Sequence, residues 1–69
     1  MARIEIRLQA ILDSRNMSAR TLSKRTGIRH PTISAMCNNS IKHLPLQHIV
    51  LICEELNIDL SELLLLIRE

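Results

Sequence analysis

The sequence predicts an all-α fold: a compact domain of five short helices. Apolar residues recur at helical rather than strand spacing, and a chain of 69 residues has room for one domain only. Isoleucine, leucine, valine and methionine must supply the core, because Phe, Tyr and Trp are absent. No linker or repeat separates the helices, so residues 1–69 are expected to form a single unit.

The first helix is predicted from about residue 3 to residue 15. Its apolar stripe follows helical i, i+4, i+7, i+8 spacing at Ile4, Leu8, Ile11 and Leu12. Asn16 is suited to a left-handed position that ends the helix.

A second helix is expected to follow Ser18, whose side chain can cap free backbone N–H groups. Gly27, the only glycine, ends it, because glycine adopts positive φ without a Cβ clash. The third helix begins near Pro31 and covers about residues 30–38, since the asparagines and serine that follow favour a turn.

Two more helices are predicted in the C-terminal half. Pro45 suits the first turn of helix 4, and Asn57 closes that helix. Asp59 and Glu62 form a variant capping box that opens helix 5. The expected apolar stripes are Leu46, Ile49, Val50, Cys53 and Leu56 on helix 4, and Leu60, Leu63, Leu64 and Ile67 on helix 5.

The formal net charge of +2 is divided unevenly along the chain. Residues 14–53 contain no Asp or Glu and hold all three histidines. The cations of this segment are Arg15, Arg20, Lys24, Arg25, Arg29 and Lys42. Residues 54–69 are predominantly acidic. The basic segment is therefore the candidate surface for a polyanion.

Residues 19–38 have the features of two helices that meet across a tight turn. Leu22 and Ile28 are expected to face inward, Ser23 is small where the helices touch, and Gly27 makes the turn. With Ile33 and Met36 anchoring helix 3 in the core, its outward face is short and polar. That face consists of Pro31, Ser34, Ala35 and Asn38, flanked by His30 and Thr32.

This arrangement resembles the Cro/C1-type helix-turn-helix domain of bacterial and phage transcription regulators. The resemblance covers nearly the whole chain, and its pattern falls on Leu22, Ser23, Thr26, Gly27, Ile33 and Met36. It implies that helix 3 enters the major groove of double-stranded DNA and that a dimer reads two half-sites about 10 base pairs apart. The function expected is that of a DNA-binding transcription regulator, a repressor that occludes its promoter.

The resemblance also implies which residues contact DNA. The base-reading positions fall on His30, Pro31, Thr32, Ser34 and Ala35, and the backbone-contacting positions on Ser18, Arg20, Asn38, Lys42 and His43. Lys24, Arg25 and Arg29 of the basic segment are further phosphate-binding candidates. Helix 3 has Pro31 and Ala35 where the family often has long amides, so bidentate reading of adenine by glutamine is not expected there.

Other chemistries are less favoured. The spacing of His30, Cys37, His43, His48 and Cys53 matches no zinc-site pattern, so no metal is expected. Neither a cofactor nor an enzymatic role is expected, because the chain has no glycine-rich loop and little room for a pocket. Free thiols, and the lack of a signal or membrane segment, favour a cytoplasmic protein. The absence of aromatic residues disfavours an RNA-binding role.

The C-terminal run LSELLLLIRE raises the question of a protein partner. If helix 5 buries its stripe, Leu65 and Leu66 point outward side by side, as a two-fold homodimer interface would require. Three alternatives stay open: the two leucines are ordinary exposed residues, they lead into a further domain of a longer regulator, or they bind another protein. In the last case the protein is an antitoxin or adaptor, with DNA binding secondary.

Overall fold

Five helices and one two-stranded antiparallel sheet make up the computed structural model, which describes all residues 1–69. The chain begins and ends in the sheet, and the helices lie between its two strands. In chain order the elements are β1 (Ala2–Ile6), α1 (Leu8–Ser14), α2 (Ala19–Thr26), α3 (His30–Cys37), α4 (Leu46–Leu56), α5 (Leu60–Leu63) and β2 (Leu64–Arg68).

The sheet corrects the all-α prediction at both ends of the chain. Helix 1 begins at Leu8 rather than near residue 3, and helix 5 ends at Leu63. The segments that were expected to extend these helices pair with each other in a register that places Ile4 opposite Leu66. Each segment gains backbone hydrogen bonds from the other, and this long-range pairing outweighs the helical spacing of the apolar residues.

The residues predicted to cap or terminate helices take these roles in the structure. The Ser18 side chain accepts a hydrogen bond from the Thr21 backbone N–H at 3.1 Å, which confirms it as the cap of α2. Gly27 has φ +78° and ends α2, while Asn16 and Asn57 have φ values of 53° and 54° after α1 and α4. At α5, the Glu62 carboxylate accepts from the Asp59 N–H at 2.7 Å, as a capping box requires.

The core lies between the helices and the base of the sheet. Its 11 buried residues are Ile6, Leu8, Leu12, Leu22, Ile28, Ile33, Met36, Ile49, Ile52, Leu56 and Leu63. Four residues predicted to lie on core stripes are instead exposed: Ile4, Leu46, Val50 and Leu60. On α4 the buried face is formed by Ile49, Ile52 and Leu56, so α4 is rotated relative to the predicted stripe and Leu46 points to solvent.

Candidate nucleic-acid interface

The turn between α2 and α3 is held by two hydroxyl side chains. The Thr26 hydroxyl donates to the Leu22 carbonyl at 2.8 Å and accepts from the Ile28 N–H at 3.2 Å. The Ser23 hydroxyl donates to the Ile28 carbonyl. Both polar groups of the Ile28 backbone are thus satisfied while its side chain is buried, so the angle between the two helices is fixed from both sides of Gly27.

Helix α3 is anchored by its two predicted core residues. Ile33 and Met36 are fully buried, which leaves the opposite face of the helix toward solvent. His30 and Pro31, in the first turn, are exposed. The other three predicted base-reading side chains, Thr32, Ser34 and Ala35, are half-buried. The five residues share the helix that follows the turn, and exposure is greatest at its N-terminal end.

The N-termini of α2 and α3 are favourable to anions. Neither helix carries an acidic residue in its first turn, so the partial positive charge of the helix dipole is not offset there. Helix α3 begins at His30, within the expected range of about residues 30–38, and Pro31 takes the second helical position rather than the first. Free N–H groups at such helix ends are suited to phosphate oxygens.

Four of the predicted phosphate-binding cations are exposed and form no ion pair in the structure: Arg20, Lys24, Arg29 and Lys42. Arg25 differs from them, because its guanidinium lies 3.3 Å from the Glu55 carboxylate of α4. His43 is also exposed. The four unpaired cations are thus the ones whose charge no acidic side chain neutralises at close range.

The end of α3 is fixed by two asparagines with different partners. With its amide nitrogen directed at α3, Asn38 lies 3.0 Å from the Ser34 carbonyl and 3.1 Å from the Ala35 carbonyl, so it caps its own helix. Asn39 has φ 58°, and its side chain accepts from the Ile6 N–H at 2.7 Å and donates to the Ile6 carbonyl at 3.0 Å. Sequence reasoning assigned Asn39 only to a turn, yet it connects α3 to β1.

No cluster of three or more His, Cys, Asp or Glu side chains in the structure could hold a metal ion. Cys37 and Cys53 are free and half-buried. Burial raises the pKa of the Cys37 thiol, and the nearby Asp13 raises it further. Burial also raises the pKa of Cys53, with smaller contributions from Asp59 and Glu62. A raised pKa favours the neutral thiol, which is a poor nucleophile and a poor metal ligand.

The sequence model of the Cro/C1-type HTH DNA-binding domain matches residues 7–69, which is almost the entire chain. The chain belongs to this family. The matched region includes α2, the turn at Gly27 and α3, so the expectation drawn from the sequence is confirmed at the level of the family. None of the five helices has the length and hydropathy that a membrane span requires.

Two crystal structures are similar to the Cro/C1-type domain described here. One is a Bacteroides fragilis protein for which DNA binding has been suggested. The two sequences are 27% identical and the TM-score is 0.79, and the match includes 91% of this chain and the whole of the Bacteroides fragilis chain. The other is the transcriptional regulator VanUg. The two sequences are 25% identical and the TM-score is 0.78, and the match includes 99% of this chain and 89% of the VanUg chain. Comparison with curated protein sequences finds no significant match.

Proposed function

We propose that this protein is a sequence-specific regulator of transcription that places α3 in the major groove of double-stranded DNA. The observation that carries this proposal is the geometry of α3, whose inner face is anchored by two fully buried residues while its first turn is exposed. In helix-turn-helix proteins the N-terminal residues of the second helix contact the base edges. Similarity to VanUg, a transcriptional regulator, supports the regulatory role.

The division of roles follows from charge and size. His30 and the hydroxyls of Thr32 and Ser34 can hydrogen-bond to base edges, and Pro31 and Ala35 can contact thymine methyl groups. Arg20, Lys24, Arg29 and Lys42 contribute affinity through phosphates, and His43 is a further exposed candidate for a phosphate contact. We assign Ser18, Arg25 and Asn38 a smaller share of phosphate contact, because Thr21, Glu55 and the end of α3 already engage their side chains.

The target is best found by selecting bound sequences from a pool of random duplex DNA. We expect a palindromic sequence with two half-sites about 10 base pairs apart, because a symmetric pair of recognition helices meets the same face of the duplex one turn apart. A site that overlaps a promoter would support repression by occlusion. Failure to enrich any sequence at low ionic strength would contradict the proposal, and recovery of a stable complex with another protein would favour the adaptor alternative.

Replacing Arg20 with alanine should weaken binding to all DNA sequences about equally. Its exposed guanidinium has no acidic partner, so it is available to a phosphate. Loss of one phosphate contact should flatten the dependence of log Kd on log salt by about one. Arg15→Ala, which removes an exposed cation outside the helix-turn-helix, is the matched control and should leave the slope unchanged. A change in base preference on Arg20→Ala would show that this side chain reads bases.

Replacing His30 or Ser34 with alanine should instead relax preference at one base position. Each lost base contact should reduce discrimination there by about 1–3 kcal/mol and leave the salt dependence unchanged. The measurement is a binding titration over all single-base variants of the selected site. Unchanged discrimination at every position would show that the base-reading residues were wrongly assigned.

We also propose that two copies act together on the DNA, with Leu65 and Leu66 in their interface. Both side chains are exposed, but they belong to strand β2 and not to a helix. Consecutive residues of a strand point to opposite faces, so the two leucines do not lie side by side as expected. An interface that uses both leucines must therefore involve the strand itself.

A further inference from the structure

A cavity of about 290 Å³ lies between the sheet and the segment that joins α3 to α4. Strand β1 contributes Ile4 and Ile6 to its walls, β2 contributes Leu64, and the joining segment contributes Ile41, Lys42 and Leu44. Residues two apart on a strand share a face, and Ile6 lies opposite Leu64, so one face of the sheet lines the cavity. None of the five base-reading residues lines it. The cavity is therefore separate from the surface that we assign to the major groove.

The walls of this cavity are mostly apolar. Ile6 is buried in the core, and Ile41, Leu44 and Leu64 are half-buried side chains packed against it. Ile4, at the outer end of the cavity, is 56% exposed. Because the core already holds most of these side chains in place, an apolar ligand can remove their exposed surface from water without repacking the core.

Lys42 is the one charged residue that lines the cavity. It is exposed and forms no ion pair in the structure. Asn39 also lines the cavity, but its side-chain amide bonds both the N–H and the carbonyl of Ile6. An ammonium group pairs as a single point charge. The polar end of a matching ligand therefore carries one negative charge.

The volume of the cavity sets the length of such a ligand. Small-molecule sites range from about 300 to 1,000 Å³, so this cavity is at the lower end. A water molecule takes up about 30 Å³ of the liquid and a methylene group is of similar size, so about eight to ten heavy atoms fill the space. An unbranched aliphatic chain of this length with one terminal carboxylate matches both the apolar walls and Lys42.

We propose that the cavity binds an aliphatic monocarboxylate of about eight carbon atoms and that this binding lowers the affinity of the protein for DNA. The chain of the ligand lies against Ile4, Ile41 and Leu64, and its carboxylate pairs with the Lys42 ammonium group. Lys42 is one of the cations that we assign to phosphates, so the ligand and DNA compete for it. The effect on DNA rests on the proposed function, whereas ligand binding does not.

The first test is a calorimetric titration of the protein with sodium octanoate in the absence of DNA. We expect one octanoate per chain. Octylammonium, which has a chain of the same length and a positive head group, should bind at least about tenfold more weakly because Lys42 repels it. Sodium butanoate should also bind at least about tenfold more weakly, because it lacks four methylene groups. No binding of octanoate, or equal affinity for octanoate and octylammonium, would overturn the inference.

Charge reversal at residue 42 tests where the carboxylate lies. Lys42→Glu should bind octylammonium more tightly than octanoate, and misfolding cannot produce such a reversal of preference. The matched control is Arg15→Glu, which reverses an exposed, unpaired cation outside the cavity and should keep the preference for octanoate. A Lys42→Glu variant that still prefers octanoate would overturn the inference.

DNA binding tests the regulatory part of the inference. Saturating sodium octanoate should raise the Kd of the wild type for duplex DNA by about three- to tenfold at about 0.1 M salt, because one phosphate contact is lost. It should also flatten the dependence of log Kd on log salt by about one. Sodium acetate at the same concentration is the control for ionic strength and should have neither effect. Lys42→Met should show the flatter dependence without octanoate and no further change with it.

The outcomes separate this inference from the proposed function. Octanoate binding by a protein that ignores all duplex DNA would contradict the proposed function and leave the ligand site standing. Sequence-selective DNA binding by a protein that does not bind octanoate would do the reverse. Octanoate binding that leaves the affinity of the wild type for DNA unchanged would overturn the competition for Lys42.

Discussion

Replacing Ile33 with alanine is expected to lower the free energy of unfolding by about 2–5 kcal/mol, the range for removing a buried isoleucine, leucine or methionine side chain. Ile33 is fully buried and anchors α3 to the core. The free energy of unfolding of a native domain is only about 5–15 kcal/mol. A loss of this size should therefore unfold a substantial fraction of the molecules on mild heating. Urea denaturation followed by circular dichroism measures the change.

Leu46→Ala is the matched control for this substitution. Leu46 also lies on a helix and was expected on a core stripe, but its side chain is 82% exposed. Its replacement should change the free energy of unfolding by less than about 0.5 kcal/mol. Equal losses in the two variants would contradict the observed orientation of α4. Specific DNA binding should be retained in Leu46→Ala and lost in Ile33→Ala above its lowered melting temperature.

Replacing Asn39 with alanine is expected to lower the free energy of unfolding by about 2–4 kcal/mol. The variant loses two hydrogen bonds to Ile6, each contributing about 0.5–1.5 kcal/mol. It also places alanine at φ 58°, a left-handed conformation that asparagine tolerates through local hydrogen bonds of its side chain but that costs alanine about 1 kcal/mol. Urea denaturation gives the total, and hydrogen exchange of the Ile6 amide reports the lost contact.

Asn39→Gly separates the two contributions. Glycine adopts positive φ freely, so this variant should recover the conformational part of the loss and keep the part due to the hydrogen bonds. Its Ile6 amide should exchange as fast as in the alanine variant. If glycine restored full stability, the side-chain bonds between Asn39 and β1 would contribute nothing measurable.

The helix-turn-helix was predictable because its determinants are local. Ser18 caps α2 three residues before the N–H that it accepts from, and Gly27 sits where the chain must take positive φ. The anchors Ile33 and Met36 follow within ten residues of that glycine. Each of these signals acts over a single turn of helix or one tight turn, so the surrounding fold does not override it.

The sheet was missed because its stabilisation is not local. Residues 3–7 alternate charged and apolar, which is the period of a strand, but Ile4 also fits the helical stripe of Leu8 and Leu12. The leucine run at the other end has no period that distinguishes helix from strand. Only the pairing of residues at opposite ends of the chain decides both cases, and no window of sequence contains it.

The orientation of α4 shows a different limit. A helix with apolar residues at Leu46, Ile49, Val50, Ile52 and Leu56 can bury either side of that set. In the structure Ile52 is fully buried and Val50 is exposed. The choice between these two faces depends on how the neighbouring helices pack against α4. For the candidate site, sequence reasoning named the side chains of α3 but not the second role of Asn39, since an asparagine in a turn does not reveal a partner 33 residues away.

Two backbone hydrogen bonds between Met1 and Glu69 hold the first and last residues of the sequence together. Joining two segments so far apart along the chain has an entropic cost of loop closure, which rises only logarithmically with the length of the loop. Contacts between residues in the same helix close much shorter loops and have a smaller cost. We therefore expect the helices to assemble before the two ends of the chain join during folding. A peptide linker between residues 1 and 69 would remove most of this entropic cost. It should stabilise the two-stranded sheet without altering any residue of the helices.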